Sequence, residues 1–215
     1  MDSNKKTFLF DFDGTLVDSM THFVGLMLKI LDEKNIKYGK DIVKIITPLG
    51  YRGTAEYFRT LGVKESTEEI IKEMQHHAME AYASTIEAKQ GVKATLEALK
   101  KQGAGLNVLT ASPHIALDTC LKRLGLLDMF DNVWSCDDFN TTKSDPNIYR
   151  LASEKIGESV ENIIFVDDNV NAIKTAKTSG MITYGIYDET SVDYVDEMKE
   201  TADRYIYCFP EILED

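Results

Sequence analysis

Two short acidic segments stand directly after apolar runs. Asp11-Phe12-Asp13-Gly14-Thr15-Leu16 follows Thr7-Phe8-Leu9-Phe10, and Asp167-Asp168-Asn169 follows Ile163-Ile164-Phe165-Val166. A short apolar run rich in aromatic and β-branched side chains reads as a buried strand. Carboxylates at the carboxyl ends of two strands of a parallel sheet converge on one edge, where open α/β sheets bind ligands. Adjacent anions repel, so such a group needs a cation or a shared proton. Mg2+, a hard cation that takes oxygen ligands, meets that need.

Two further segments offer groups that suit a phosphate. Thr110-Ala111-Ser112 closes the apolar run Leu106-Asn107-Val108-Leu109. A hydroxyl at a strand end, followed by a helix start, can bind a phosphate oxygen through side chain and backbone N–H. Lys143 lies in Thr141-Thr142-Lys143-Ser144-Asp145-Pro146, just before a helical pattern. An ammonium that reaches the acidic edge would neutralise carboxylate and phosphate together.

The elements that must position these residues alternate. Besides the three runs named, Ile182–Ile186 reads as a strand, with Val133-Trp134 and Tyr205-Ile206 as weaker candidates. Between them lie helical stripes: Val92, Leu96 and Leu99 closing on Gly103; Leu117, Cys120, Leu121 and Leu124; Ile148, Leu151, Ala152 and Ile156; and 169–179 closing on Gly180. The spacing predicts plain core packing along all of these stripes. Asp145 is expected as the N-cap of the third, with Pro146 at its first helical position. Alternating strands and amphipathic helices predict an α/β fold, a Rossmann-like parallel sheet core with helices on both faces.

The pattern changes between the first strand and Gln90. Val24, Met27, Leu28 and Leu31 make one helical stripe, and Ile71, Met74, Ala78, Ala81 and Tyr82 another, with no convincing strand between them. The expectation is an inserted α-helical cap domain over 17–89, with the core domain formed by 1–16 and 90–215. Gly50-Tyr51-Arg52-Gly53 reads as a loop in this insert. Arg52 there could bind a substrate carboxylate or phosphate bidentately.

Composition bounds the rest. The 215 residues carry 24 Lys+Arg against 36 Asp+Glu, a formal net charge of −12. That argues against a nucleic-acid backbone binder, which shows basic patches. The three cysteines, Cys120, Cys136 and Cys208, have no metal or disulfide spacing and read as buried thiols of a reducing cytosol. His22, His76, His77 and His114 form no ligand pattern with them and read as packing or surface residues. The acid-rich stretch Asp188–Asp203 reads as a solvated face. Residues 1–6 show no apolar signal region, and no run approaches the length of a membrane span. The expected setting is the cytoplasm, with no membrane partner.

The four chemical segments, in this order, resemble the haloacid dehalogenase superfamily. Asp11-Phe12-Asp13-Gly14-Thr15 matches its first motif, Thr110-Ala111-Ser112 its second, Lys143 its third and Asp167-Asp168 its fourth. An insert directly after the first motif resembles the helical cap of the phosphoglycolate phosphatase and β-phosphoglucomutase-like branch. Ser144 departs from the Pro that many members of that branch carry after the Lys.

The resemblance implies that Asp11 is a nucleophile that forms an aspartyl-phosphate. It implies that Asp13 is the acid that protonates the leaving oxygen and then the base that activates water. Mg2+ would be held by the Asp11 carboxylate, the Asp13 backbone carbonyl and Asp168, with Asp167 behind them or as an alternative ligand. Thr110, with Ala111 and Ser112, and Lys143 would take the charge of the transferring phosphoryl group. The expected activity is a Mg2+-dependent phosphatase acting on a small phosphorylated metabolite, by a chain expected as a monomer. The competing expectations are a sugar-phosphate mutase of the β-phosphoglucomutase type, and a regulator that binds a phosphometabolite without turning it over. A dehalogenase needs no metal and lacks the second Asp of the first motif. A regulator would be expected to lack the nucleophile, which is present.

Overall fold

A run such as Phe8-Leu9-Phe10 has no polar face to turn to water, so it is stable only where both faces of its sheet are covered. The computed structural model, which describes residues 6–46 and 49–214, places it at the centre of a parallel sheet. Among the described residues the strands are β1 (Thr7–Phe10), β2 (Gly105–Thr110), β3 (Asn132–Ser135), β4 (Ile163–Asp167), β5 (Ile182–Ile186) and β6 (Arg204–Ile206). Their spatial order is β3-β2-β1-β4-β5-β6, all pairs parallel. Chain order reverses between β1 and β4. At such a reversal the flanking connections leave on opposite faces and open a crevice at the carboxyl ends of the strands. Phe10 is in register with Val108 on one side and Val166 on the other, so the residues that follow emerge side by side.

The pleat sends alternate side chains to opposite faces. Leu9, Leu109, Ile163 and Phe165 share one face with Ile148, Tyr149 and Ala152 of α7 (Asn147–Ile156) and Ile173 and Ala176 of α8 (Val170–Ser179). On the other face Phe10 stacks on Phe8 and meets Phe209, ring centroids 5.5 Å apart in both pairs. There α5 (Val92–Lys101) buries Val92, Leu96 and Leu99 and packs on the 209–214 turn. The connection from β2 to β3 carries α6 (His114–Arg123), which buries Leu117, Cys120 and Leu121.

Contacts divide the chain into two compact units, 1–18 with 87–215, and 19–86. The second unit is helical in its described residues: α1 (Met20–Glu33), α2 (Ile42–Ile46), α3 (Gly50–Thr60) and α4 (Thr67–Ser84). Ile30, Leu31, Ile46, Phe58, Ile70 and Met74 form its own apolar cluster. Ser66 opens α4 with a reciprocal cap, its hydroxyl accepting from the Glu69 N–H while the Glu69 carboxylate accepts from the Ser66 N–H. Among the described residues no helix is long and apolar enough to cross a membrane.

Several local expectations are corrected. α7 begins at Asn147, so Pro146 stands before the helix. Asp145 still acts as its cap, because its Oδ1 accepts from the Asn147 N–H at 2.9 Å. Leu151 is exposed, since the stripe that faces the sheet runs through Ile148, Ala152 and Tyr149. Gly50–Gly53 is the first turn of α3, drawn into the helix because Thr54, Ala55 and Phe58 bury on one side of it. Cys208 is exposed, with its thiol 3.3 Å from Glu211 Oε1. Asp188 is buried, for reasons that belong to the site. The leader reading of residues 1–5 lies outside the described residues.

Phe165 is fully buried and packs edge-on against Tyr149 at 5.0 Å. Phe165→Ala is expected to destabilise the protein by about 3–5 kcal/mol. Urea denaturation checks this, as a lower midpoint at unchanged slope; an unmoved midpoint would mean that this layer does not hold α7 and α8 on the sheet.

Candidate active site

β1 ends at Phe10, yet the ladder carries Asp11 one step further. Its N–H donates to Val166 O at 2.9 Å, which sets Asp11 beside Asp167 at the reversal point. The turn that follows depends on Gly14. Its φ of +74° lies in the left-handed region, and a Cβ there would stand 2.6 Å from Asp168 Oδ2. Only glycine permits both the turn and the close approach of Asp168. The Thr15 hydroxyl then donates to Asp168 Oδ1 at 3.1 Å and ties the turn to the end of β4.

Asp11, Asp167 and Asp168 are all buried, and each offers an oxygen within 4.8 Å of the others'. Lys143 is inserted among them: Nζ ion-pairs with Asp11 Oδ1 and lies 2.8 Å from Asp167 Oδ2. The loop that carries it is held by Tyr149, whose hydroxyl donates to Lys143 O at 3.1 Å and lies 3.2 Å from Ala172 O. Asp167 uses both oxygens, Oδ2 on Lys143 and Oδ1 on the Asn169 N–H at 2.7 Å. Asp13 stands at the rim, where its Oδ2 accepts from the Ser112 hydroxyl at 2.5 Å. Thr110, at the end of β2, is buried and its Oγ1 accepts from the Ser112 N–H at 3.1 Å.

The electrostatics follow from burial. Desolvation above all raises Asp11; Lys143 opposes it and the Asp167 and Asp13 charges reinforce it, so the carboxyl stands at about 7. Desolvation also raises Asp168 well above the usual carboxylate range, reinforced by Asp167, Asp11 and Asp188. Burial opposes the charge of Lys143, but Asp11 and Asp167 outweigh it and hold the ammonium protonated. Three carboxyl groups face one ammonium, so without a further cation Asp11 and Asp168 are held toward their protonated forms. The donors of the cluster are all carboxylate oxygens, the set that suits a hard divalent cation such as Mg2+.

Of the residues singled out in the sequence, Asp11, Asp167, Asp168 and Lys143 gather in one cluster; Asp13, Thr110 and Ser112 are linked to one another by hydrogen bonds, and the Asp13 charge acts on Asp11. Ala111 is exposed in the bend that follows β2. Arg52 belongs to the helical unit, on α3, where its exposed guanidinium lies 3.4 Å from Glu68. Sequence reasoning missed Lys89 and Asp188. Asp188 is 2% exposed, and its Oδ2 lies 2.8 Å from Lys89 Nζ, which also donates to Tyr187 O. The pair stands beside Asp168, where Asp188 raises and Lys89 lowers its affinity for a proton. Only the position of Asp188, two residues after the β5 run, could have signalled a third acidic strand end. The Tyr149 tether had no sequence signal beyond its place in an apolar stripe.

A family model described as haloacid dehalogenase-like hydrolase matches residues 5–180. The chain is 31% identical over 185 residues to YhcW of Bacillus subtilis, covering 82% of this chain and 80% of that one. It is 29% identical over 186 residues to the pyrophosphatase PpaX of Bacillus velezensis, covering 86% and 84%. It is 27% identical over 217 residues to a phosphoglycolate phosphatase of Neisseria gonorrhoeae, covering 95% and 90%. Its fold is similar to that of YfnB from Bacillus subtilis, solved bound to magnesium, with a TM-score of 0.81 at 17% identity over 98% and 97% of the two chains.

The raised Asp11 predicts an inverted pH effect in the metal-free protein. A carboxyl that keeps its proton to about pH 7 when folded, but ionises near 4 when unfolded, makes the folded state bind more protons across that window. Its contribution is favourable below about pH 4 and is lost as pH rises to about 7. Asp11→Asn removes the ionisation. In chelator, the variant is expected to gain thermal stability over the parent between pH 5 and pH 8. A difference in Tm that stays constant with pH would show that Asp11 ionises as an ordinary carboxyl.

Proposed function

The chain belongs to the haloacid dehalogenase-like hydrolases, and within them we propose that it is a Mg2+-dependent phosphatase that hydrolyses a small phosphorylated metabolite through a phosphorylated Asp11. The observation that carries this reading is the buried Asp11 carboxylate held against Lys143 at the crevice between β1 and β4. The names of the relatives, a pyrophosphatase and a phosphoglycolate phosphatase, support phosphate as the group transferred. They differ in substrate, so the class of metabolite is left open.

Each residue then has a role that its surroundings support. Asp11 attacks phosphorus, and the P–O bond to the leaving group breaks as the Asp11–phosphorus bond forms. Lys143 places a positive charge where phosphoryl oxygens would collect, already oriented by Asp167 and by the Tyr149 tether. The Thr110 oxygen accepts from the Ser112 N–H, and its hydroxyl proton can be donated to the same phosphoryl group. Asp13, oriented by the Ser112 hydroxyl, gives a proton to the leaving oxygen and later takes one from the attacking water. A bound Mg2+ would offset the repulsion between an anionic nucleophile and an anionic phosphate. Asp11 and Asp168 are the residues to hold it, with the Asp13 carbonyl, while Asp167 has both oxygens engaged in positioning. The magnesium bound to YfnB, whose fold is similar, supports Mg2+ as the ion. Gly14 and Thr15 keep Asp168 in place. In the helical unit, here read as a cap, Arg52 offers a planar guanidinium to an anionic group of the substrate.

Phosphate release from sugar phosphates, phosphoglycolate, pyrophosphate and nucleotides, with Mg2+ and with excess chelator, tests the reading. Turnover is expected only with the metal, and undiminished release in chelator would overturn the assignment. Asp11→Asn is expected to form no phospho-enzyme with any substrate. Asp13→Asn is expected to lose about 10²–10⁴-fold with an alkyl phosphate, whose leaving oxygen needs the proton. With an aryl phosphate it is expected to show a burst of labelled enzyme and then stall. Quench-flow distinguishes these, and a burst from Asp11→Asn contradicts the roles. Arg52→Ala is expected to lower kcat/KM for the best metabolite more than for an aryl phosphate; equal losses would remove Arg52 from substrate recognition.

A further inference from the structure

The helical unit contains a buried histidine with no hydrogen bond. His77 lies on α4, 8% exposed, and neither ring nitrogen has a hydrogen-bond partner. A polar group taken out of water without a partner is an anomaly that needs an explanation. Carboxylates surround this one, but too far away to bond. Glu33 Oε2, at the end of α1, is 3.8 Å from Nε2, and Glu80 Oε2, one turn further along α4, is 3.6 Å from Nδ1. Glu73 precedes His77 by four residues, so the two share one face of the helix. Glu33, Glu73 and His77 each present a ligand atom within 4.8 Å of the others'.

We infer that Glu33, Glu73 and His77 form a site for a divalent transition-metal ion of the zinc type, which pins the end of α1 to α4. The donor set is one imidazole nitrogen and two carboxylate oxygens, ligand types that zinc binds at tetrahedral distances, and water would fill the fourth position. It is unlike the all-oxygen cluster at the sheet edge, which suits Mg2+. Ligands about 2.0–2.1 Å from zinc stand roughly 3.4 Å from one another. The observed 3.8 Å between Nε2 and Glu33 is therefore closed by a small rotation of Glu33, whose side chain is half exposed.

The orientation of the ring supports the assignment. Nε2 faces Glu33 and takes the metal side, while Nδ1 faces Glu80. Metal-bound histidines characteristically donate their second N–H to such an outer carboxylate. Lys34 explains how Glu73 is held without the ion: Nζ donates to its two oxygens at 3.1 and 3.3 Å and also pairs with Glu65 at 3.0 Å. When an ion takes Glu73, Lys34 keeps Glu65. Glu65 and Glu73 pair with Lys34, and Glu33 with Lys29 at 3.6 Å; with Glu80 beside His77 the carboxylates number four against two ammonium groups, so negative charge remains in excess.

The test is Zn2+ binding by the whole metal-free protein, in excess Mg2+ to occupy the sheet-edge carboxylates. Equilibrium dialysis is expected to show one zinc per chain. Both His77→Ala and Glu33→Gln are expected to weaken it by at least roughly tenfold, while Asp168→Asn leaves it unchanged. Co2+ in place of Zn2+ is expected to give a visible ligand-field spectrum that His77→Ala abolishes. Zn2+ is also expected to raise the Tm of the parent but not of Glu33→Gln. Absence of zinc uptake, equal uptake by the parent and Glu33→Gln, or loss in Asp168→Asn alone would overturn the site. Glu33 lies half exposed at a helix end, so Glu33→Gln decides the matter even if His77→Ala does not fold.

Discussion

Like charges that meet in a buried crevice repel far more strongly than they would in water, because little solvent screens them. Asp11, Asp167 and Asp168 meet in that way, and the ammonium of Lys143 is the counter-charge built into the same pocket. Much of the surrounding structure serves to keep these four groups in register. The β1–β4 pairing sets Asp11 beside Asp167, the Tyr149 hydroxyl anchors the Lys143 backbone, and Thr15 holds Asp168. One cation against three carboxylates leaves a deficit, and that deficit is what gives the site its affinity for protons or for a hard metal ion.

The sheet supplies the precision. In a parallel sheet the strand ends lie along one edge, and the reversal of chain order between β1 and β4 opens that edge without breaking the core below it. The layers beneath are aromatic on both faces, with Phe8, Phe10 and Phe209 on one side and Phe165 and Tyr149 on the other. A charged cluster built on rigid strand ends needs little reorganisation when charge moves within it, which is the requirement for stabilising a transferring phosphoryl group.

Lys89 and Asp188 extend this network to the place where the chain re-enters the sheet unit. Asp188 is buried beside Asp168, and Lys89 follows directly on the 87–88 segment, whose Glu87 O accepts from the Asp18 N–H. The two crossings of the chain are thus tied to each other and, through the buried ion pair, to the neighbourhood of Asp168.

The α/β class, the parallel sheet and its strands, and the four chemical segments are all legible in the sequence. They rest on local signals: apolar runs too short for helices, stripes at helical spacing, glycines at helix ends, and acids at the ends of the runs. What failed was whatever depends on a neighbour distant in the chain. Asp188 looked like part of a solvated acidic face because its partner, Lys89, is 99 residues away. His77 is buried, as a packing residue should be, but its nearness to Glu33, which comes from another helix, has no local signal. Leu151 fits the stripe by spacing, yet the direction in which α7 meets the sheet leaves it in water. The sequence by itself determined which groups could do chemistry, since that is a property of residue type and of position along a strand. Only the tertiary structure decided which carboxylate holds Lys143, which orients toward Thr15 and which is raised by burial, because desolvation and Coulomb terms depend on distances that no local pattern encodes.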